Sequence, residues 1–316
     1  MTSLVLLAIA GLLAVAGPRA LARPWADRAP RLAVAAWALL AATALTAVVL
    51  AGVVLLVPVT ALGTDLAQLL RACALAVQAA YSTASPLPIL GAGLAVAVPA
   101  WTLLGMLAGL VPAALERRRL RGSLTAVGRA DDALGALVLD APQAAAYCLP
   151  GRGGRVVVTT GALGALSGPE LTAVLAHERA HLRGRHHLLV AVATGLARAF
   201  PAVPLFDCGL AEVHRLVELL ADDAATRRLG RLEVASALLC LAGMRSPAPA
   251  LGAVGTAGAA RVRRLLQAPP PLSRLQRGAA LAALALVAAT PLVVAAYPAY
   301  AAAASDLCPV TFPPGA

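Results

Sequence analysis

The chain has 316 residues, of which 60% are apolar and only 13% are charged, and its mean hydropathy is +0.82. Soluble domains contain about 45–50% apolar and about 25% charged residues, so this composition excludes an ordinary soluble protein and indicates a membrane protein. The formal net charge of +11 would suit a nucleic-acid-binding protein, but aromatic residues make up only 3% of the chain. Because single-strand binders stack bases on aromatic side chains along a basic stripe, we expect no direct nucleic-acid binding.

Four apolar stretches are candidates for membrane-spanning helices. A spanning helix needs about 20 mostly apolar residues, and residues 32–58, 88–113 and 279–302 meet this requirement. Residues 3–18 are a shorter stretch, which could alternatively be a signal peptide with Ala20-Leu21-Ala22 as its cleavage site. No basic residue precedes this stretch and several arginines follow it, which reverses the charge order of a signal peptide. We therefore interpret it as the first of three spans within residues 1–113.

The arginines predict how the chain is oriented in the membrane, because cytoplasmic loops carry an excess of positive charge. Between the second and third spans the only arginine is Arg71. The regions after span one, after span three and before span four are rich in arginine: Arg19, Arg23, Arg28 and Arg31, then Arg117, Arg118, Arg119 and Arg121, then Arg261, Arg263, Arg264, Arg274 and Arg277. The predicted protein is a multi-pass protein of the cell membrane with both termini outside. Residues 114–278 form its cytoplasmic domain and residues 303–316 its extracellular tail.

The domain between spans three and four is predicted to be mainly helical with a small β-sheet or hairpin. Residues 136–140 and 155–159 are rich in Val and Leu, and the Pro- and Gly-rich residues 150–154 lie between them. Ser167 and Glu170 have the spacing of a capping box, which predicts a helix reaching residue 185. Further helices are expected over about 209–228 and 232–243, a buried or interfacial helix over 188–206, and a flexible connector over 246–260.

The segment His177-Glu178-Arg179-Ala180-His181 is the strongest chemical signal. Residues four apart share one face of a helix, so the two imidazoles can bind one zinc ion while Glu178 takes a proton from a bound water. An HExxH sequence also occurs by chance on solvated charged helix faces. Here apolar residues precede the motif, and buried ionisable groups are costly unless they are paired or bound to metal.

A catalytic zinc ion needs a third protein ligand and an open position for water. Downstream, Glu218 and Asp222 share one face of a predicted helix. Glu218 can supply the carboxylate ligand, and Asp222 can orient a ligand histidine. The alternative is that Glu218 is an ordinary surface carboxylate.

These two motifs resemble those of a known family. HExxH followed by ExxAD, with a capped helix before it and flanking spans, is similar to the gluzincin-type membrane metallopeptidases of the BlaR/MecR kind, and more distantly to the HtpX and Ste24-like ones. The resemblance includes the Arg-Val-Arg-Arg-Leu-Leu segment from residue 261. It implies one zinc per chain held by His177, His181 and Glu218, with Glu178 as general base and Asp222 as the orienting aspartate.

The resemblance also implies a substrate class, namely a cytoplasmic or membrane protein, classically a BlaI/MecI-like repressor cleaved in regulatory proteolysis. The sequence has 14 residues after the fourth predicted span, whereas antibiotic receptors of this family continue into a penicillin-binding sensor domain. We therefore expect no β-lactam sensing by this polypeptide. Two alternatives stay open: membrane-protein quality control of the HtpX kind, and a non-proteolytic signalling or scaffold protein that keeps zinc for stability.

The remaining histidines and arginines near the motifs receive weaker assignments. Peptide hydrolysis needs a donor that stabilises the oxyanion, and His214, Arg215 and Arg227 are candidates. His186 and His187 are interpreted as a basic cap at a helix C-terminus.

The five cysteines form no CxxC pair, which argues against a zinc knuckle. The predicted topology places Cys73 and Cys308 outside, where disulfides persist. We expect these two to bond, the alternative being two free thiols. Cys148, Cys208 and Cys240 should stay reduced.

Overall fold

The computed structural model describes residues 1–22, 24–56, 86–151, 153–245 and 254–306. The helices are α1 (Thr2–Leu21), α2 (Trp25–Arg28), α3 (Pro30–Leu56), α4 (Pro86–Val127), α5 (Thr160–Ala165), α6 (Gly168–Arg183), α7 (His186–Ala199), α8 (Pro204–Ala225), α9 (Arg231–Arg245), α10 (Val254–Leu266) and α11 (Arg274–Asp306). The strands are β1 (Arg129–Asp131), β2 (Ala136–Leu139), β3 (Ala146–Leu149) and β4 (Arg155–Thr159). The fold is mostly helical with one small sheet, as the sequence predicted.

Among the described residues, four helices are long and apolar enough to cross a membrane: α1, α3, α4 and residues Arg274–Pro298 of α11. They lie at the four predicted spans, and residues 57 and 58 of the second prediction are outside the described residues. The helix of the third span, α4, is longer than expected, because it continues past the apolar stretch to Val127. It includes a π-helical turn at Gly93–Ala97. Arginines expected in a loop after span three therefore lie on a helix.

The spans are packed together around small residues and one buried tryptophan. Trp37 and Leu40 of α3 are 3% and 6% exposed, and they belong to one apolar cluster with Leu205 and Leu216 of α8. This cluster joins the apolar helix α3 directly to the helix that carries the predicted third ligand, Glu218.

The sheet has the strand order β1-β2-β4-β3. The two predicted strands are present as β2 and β4, but they pair in parallel rather than as a hairpin. The chain between them forms β3, which sequence analysis missed and which pairs antiparallel with β4 through the predicted turn at 150–154. One face of the sheet packs on α6, where Val156 and Val158 meet Val174. An outer strand, β3, therefore lies beside the helix that carries HExxH.

The end of α6 and the predicted connector before α10 differ from their expected bounds. The capping box of Ser167 and Glu170 is formed and starts α6 as expected, but α6 ends at Arg183 rather than 185. Residues 246–253 of the predicted connector lie outside the described residues, and the prediction is wrong for its second half, because α10 begins at Val254. Its Ala- and Gly-rich start resembled a linker, but Leu265 is 1% exposed and anchors the helix in the domain core.

The apolar segment 188–206 forms the predicted helix, α7, and then turns back into α8. Close approach to α4 is possible because Gly105 and Gly109 face Gly195 and Ala199. At the far end of α7, the indole Nε1 of Trp101 donates a 2.6 Å hydrogen bond to the Ala199 carbonyl. At about 1.5 Å per residue, α7 is too short to cross a bilayer. α7 thus packs along α4, and α8 packs in turn against α7.

Candidate metal centre

Three side chains from two helices converge at one point. His177 and His181 are one turn apart on α6, and their Nε2 atoms are 3.1 Å apart. Glu218 of α8 faces both: its Oε2 lies 3.5 Å from His177 Nε2 and its Oε1 lies 3.5 Å from His181 Nε2. In the described part of the chain these three residues form a group whose ligand atoms all lie within 4.8 Å of one another.

The separations between these atoms suit a tetrahedral metal ion. Two donor atoms that each lie about 2.0–2.1 Å from such an ion, at the tetrahedral angle, are about 3.3–3.4 Å apart. The observed donor separations of 3.1, 3.5 and 3.5 Å bracket this value. Two imidazoles and one carboxylate leave one of four positions for water or substrate, as in catalytic metal sites.

Asp222 holds the imidazole of His177 from behind. Its side chain is fully buried, and its Oδ1 lies 3.0 Å from His177 Nδ1. A proton on Nδ1 directed at this carboxylate leaves the lone pair of Nε2 pointing at the metal position. This short distance is what the predicted orienting role of Asp222 needs, and the role itself stays a prediction.

His186 is a residue that sequence analysis placed wrongly. It begins α7 instead of capping the end of α6, because Arg185 adopts a left-handed conformation with φ of 48° and redirects the chain. His186 is buried, and its Nδ1 lies 2.9 Å from His181 Nδ1. His186 therefore lies against Nδ1 of His181, as Asp222 lies against Nδ1 of His177. Its partner in the predicted basic cap, His187, has an imidazole whose pKa is lowered by burial and by nearby Arg117 and Arg185.

Arg261 of α10 is the second residue that sequence analysis left out of the site. Its guanidinium forms a two-pronged ion pair with Asp222, at 2.8 and 2.7 Å, and its Nη1 lies 2.8 Å from Glu218 Oε2. One cation thus fixes both the ligand carboxylate and the orienting carboxylate. The Arg-Val-Arg-Arg-Leu-Leu segment was the available signal, but its spacing could not show which arginine turns inward.

Glu178 lies next to His177 on α6, beside the outer strand β3. The thiol of Cys148, on β3, hydrogen-bonds to the Glu178 carboxylate. Burial, together with the negative charge of Glu178, raises the pKa of Cys148 to about 12. A carboxylate is therefore positioned between the metal site and the edge of the sheet.

Protons in the site are distributed unevenly. Burial alone would lower the pKa of His177, but its contacts with Asp222 and Glu218 outweigh burial and raise that pKa to about 9. Burial and the neighbouring charge of His177 lower the pKa of His181. The two coupled imidazoles therefore share about one proton near neutral pH, because their carboxylate partners favour one positive charge and their proximity disfavours two.

The other predicted residues are not brought to the metal site. His214 is exposed, and Arg215 is paired with Glu212 and Asp27. Arg227 lines a neighbouring cavity, which His186 also borders. Cys73 and Cys308, the predicted disulfide, both lie outside the described residues, whereas Cys148, Cys208 and Cys240 are free thiols.

The family comparison is consistent with this geometry. Residues 116–204 match the family model of Peptidase family M48. This similarity indicates a metallopeptidase. The matched segment spans the sheet and the HExxH helix and ends before Glu218, so the third ligand of the candidate metal site rests on the convergence of atoms described above. Among curated proteins and solved structures, nothing matches the chain.

Proposed function

We propose that the chain is a membrane-embedded zinc-dependent endopeptidase, with one zinc per chain held by His177, His181 and Glu218. The observation that carries this proposal is the convergence of these three ligands beside Glu178, within and just beyond the M48 segment. An imidazole pair with one carboxylate is a donor set typical of catalytic zinc in peptidases. A purely structural zinc site would leave no position open and would have no use for Glu178.

The proposed chemistry divides between the metal and the chain. Zinc, when bound, lowers the pKa of its water to about 7 and polarises the scissile carbonyl. Glu178 accepts the proton of that water and delivers it to the leaving amine. Asp222 and His186 hold the two ligand imidazoles in the required tautomer, and Arg261 holds Glu218 in place.

The substrate is proposed to be an extended segment of a protein. As an outer strand of the sheet, β3 pairs on one side only, with β4, in the described structure. A peptide can add to such an edge through main-chain hydrogen bonds. Cys148 of this strand touches Glu178, so a peptide added at β3 would pass in front of the general base.

The cellular orientation is proposed from the arginines. With both termini outside, the M48 domain is cytoplasmic and the arginines at the starts of α3 and α11 face the cytoplasmic leaflet. Labelling of Cys208 and of cysteines introduced at Arg129 and Arg155, with a membrane-impermeant maleimide on intact cells, tests this. Labelling of the two introduced cysteines before the cells are opened would reverse the orientation.

The physiological role is proposed from the resemblance to BlaR/MecR-type peptidases: regulatory cleavage of a cytoplasmic repressor of the BlaI/MecI kind. The HtpX-like alternative is removal of damaged membrane proteins. Proteomics of cells that produce either the native chain or Glu178→Gln separates the two. A single stabilised DNA-binding protein supports regulation, and many stabilised membrane proteins support quality control.

The decisive test of the enzyme compares metal content and cleavage in the same preparations. We expect about one zinc in the native protein, and loss of zinc in His177→Ala and Glu218→Ala. Glu178→Gln should keep its zinc and lose about 10²–10⁴-fold in cleavage rate, the contribution typical of a general base. Zinc retention with undiminished cleavage in Glu178→Gln would reject the mechanism, and a folded native chain without metal would reject the zinc site.

A further inference from the structure

Two neighbouring cavities beside the metal site have strongly basic walls, and His186 lines the first of them. Each has a volume of about 530 Å³, and both are lined by Arg31, Leu220 and Arg227. The first also contains Arg183 and Arg228, and the second contains Arg28 and Arg277. We define these six arginines and the two cavities as the arginine basin.

The positive charge of the basin is not neutralised within the described structure. One carboxylate, Asp223, lines it, and this side chain is already bound by Arg264 through contacts of 2.7 and 3.1 Å. Arg28 donates to the carbonyls of Pro270 and Pro271 and to Gln276, all of which are neutral. The other basin arginines have exposed side chains that make no hydrogen bond or ion pair with a described residue: Arg31, Arg183, Arg227, Arg228 and Arg277.

Arginines near span ends are expected from the orientation of a membrane protein alone. That explanation requires a local excess of charge, but it does not require the arginines to meet. Here they converge from the starts of α3 and α11, the end of α6 and the segment after α8 onto shared concave walls. Guanidinium groups arranged in this way suit the oxygens of a phosphate group.

The second cavity also has an apolar side. Leu32 and Ala35 lie in the first turns of α3, and Leu281 lies two turns into α11, both of which are candidate spans. A ligand in this cavity would therefore meet arginines at one end and the apolar surface of two spans at the other. This lining favours an amphiphile over a free anion.

The basin borders the back of the metal centre. His186, whose Nδ1 lies 2.9 Å from that of the ligand His181, is one of the residues that line the first cavity. Leu220 follows Glu218 by two positions on α8, which at about 100° per residue places it about 200° around the helix axis from the metal ligand. Ala224 and Arg227 continue the face of Leu220, so the basin lies on the side of α8 that faces away from Glu218.

We propose that the arginine basin binds the phosphate headgroup of an anionic phospholipid, with its acyl chains along α3 and α11. The inference does not depend on the proposed peptidase activity. Basic pockets between spanning helices at the cytoplasmic face are known to recognise such headgroups.

The test is native mass spectrometry of the full chain released from vesicles with equal amounts of phosphatidylglycerol and phosphatidylcholine that carry the same acyl chains. The native protein should retain phosphatidylglycerol at least about fivefold over phosphatidylcholine, equivalent to about 1 kcal/mol. The double variant Arg31→Gln/Arg227→Gln should lose this preference. The control Arg129→Gln/Arg155→Gln, which removes the same charge from exposed strand residues, should keep it.

The lipid experiment would overturn the proposal if the native protein showed no preference or if the control lost it equally. A separate arm titrates inorganic phosphate into protein held in phosphatidylcholine nanodiscs, where we expect no saturable binding below millimolar concentration. Tighter phosphate binding that depends on Arg31 would assign the basin to a free anion instead. Both altered arginines are exposed and unpaired in the described structure, so their replacement should leave the fold intact. The single variant Arg277→Gln provides an independent check of the lipid preference.

Discussion

His186 Nδ1 lies 2.9 Å from His181 Nδ1, so the second ligand histidine is braced by an imidazole and the first by the carboxylate of Asp222. When His181 binds metal through Nε2, its Nδ1 carries the proton and donates it to His186. Loss of such an outer partner typically weakens metal binding about 10–100-fold.

We therefore expect His186→Ala to weaken zinc binding by about tenfold or more. Competition with a fluorescent chelator measures the affinity. His187→Ala is the matched control, because His187 is adjacent and has no contact with the ligands in the described structure. Equal zinc affinity in both variants would show that His186 only fills space.

Zinc binding should release about one proton per chain at pH 6. The pKa of His177 is raised to about 9 and that of His181 is lowered to about 4, so the imidazole pair holds about one proton between these values, and metal requires both rings to be neutral. The apparent zinc affinity should consequently rise about tenfold per pH unit between pH 6 and 8.

Calorimetry at pH 6 in two buffers with different ionisation heats measures this proton release. Asp222→Asn should reduce the proton release and flatten the slope at the upper end of the range, because it removes the charge that holds the proton on His177. A slope of zero in the native protein would contradict the assignment.

Arg261 should contribute far more to the free energy of unfolding than the arginines beside it. Asp222 has no exposed side-chain surface, and Arg261→Gln would remove its two-pronged guanidinium partner and leave only His177 beside it. Removing one partner of a buried ion pair typically costs about 3–5 kcal/mol. Arg263, two positions away and exposed, provides the control, and Arg263→Gln should change the free energy of unfolding by less than about 0.5 kcal/mol.

Denaturant unfolding in detergent measures both variants. The double variant Arg261→Gln/Asp222→Asn should recover part of the loss, because the unpaired buried charge is then gone. No recovery would mean that Arg261 acts through packing.

Cys148 should react slowly with alkylating reagents. Its pKa is raised to about 12, so little thiolate is present at pH 8. Glu178→Gln removes both the charge and the hydrogen-bonding carboxylate that raise this pKa, so alkylation of Cys148 should accelerate. Cys208 is exposed and distant from Glu178 in sequence, and mass spectrometry should show its rate unchanged by the same variant.

Sequence patterns predicted the parts of this molecule that depend on local periodicity. The spans, the capping box at Ser167 and the helical spacing of His177 and His181 each need only a few neighbouring residues. His186 and Arg261 were missed for a different reason. The position of His186 depends on the left-handed Arg185, which redirects the chain. The position of Arg261 depends on a helix whose start resembles a linker. Both positions are therefore set by tertiary structure.

The same distinction applies to the sheet. Residues 136–140 and 155–159 show their β propensity in sequence. Their parallel pairing depends on β3, a strand formed by the chain that connects them. Ala146–Leu149 has too little alternation to reveal it.

The contact between α4 and α7 should be intolerant of even one methyl group. A Cβ added at Gly105 would lie 2.4 Å from the Cβ of Ala199 and 3.0 Å from its Cα, so the two helices would have to separate. Overpacking of this kind typically costs about 1–3 kcal/mol. Gly11 is the matched control, since an added Cβ there meets nothing within 4 Å.

Thermal unfolding in detergent should show Gly105→Ala to be destabilised and Gly11→Ala to be unchanged or slightly more stable, because alanine favours helix. His186 begins α7, so a displaced α7 should also weaken zinc binding in Gly105→Ala. Retained stability with weaker zinc binding would indicate that α7 shifts without unfolding. Full retention of both would mean that the close approach of Gly105 to Ala199 does not hold α7 in position.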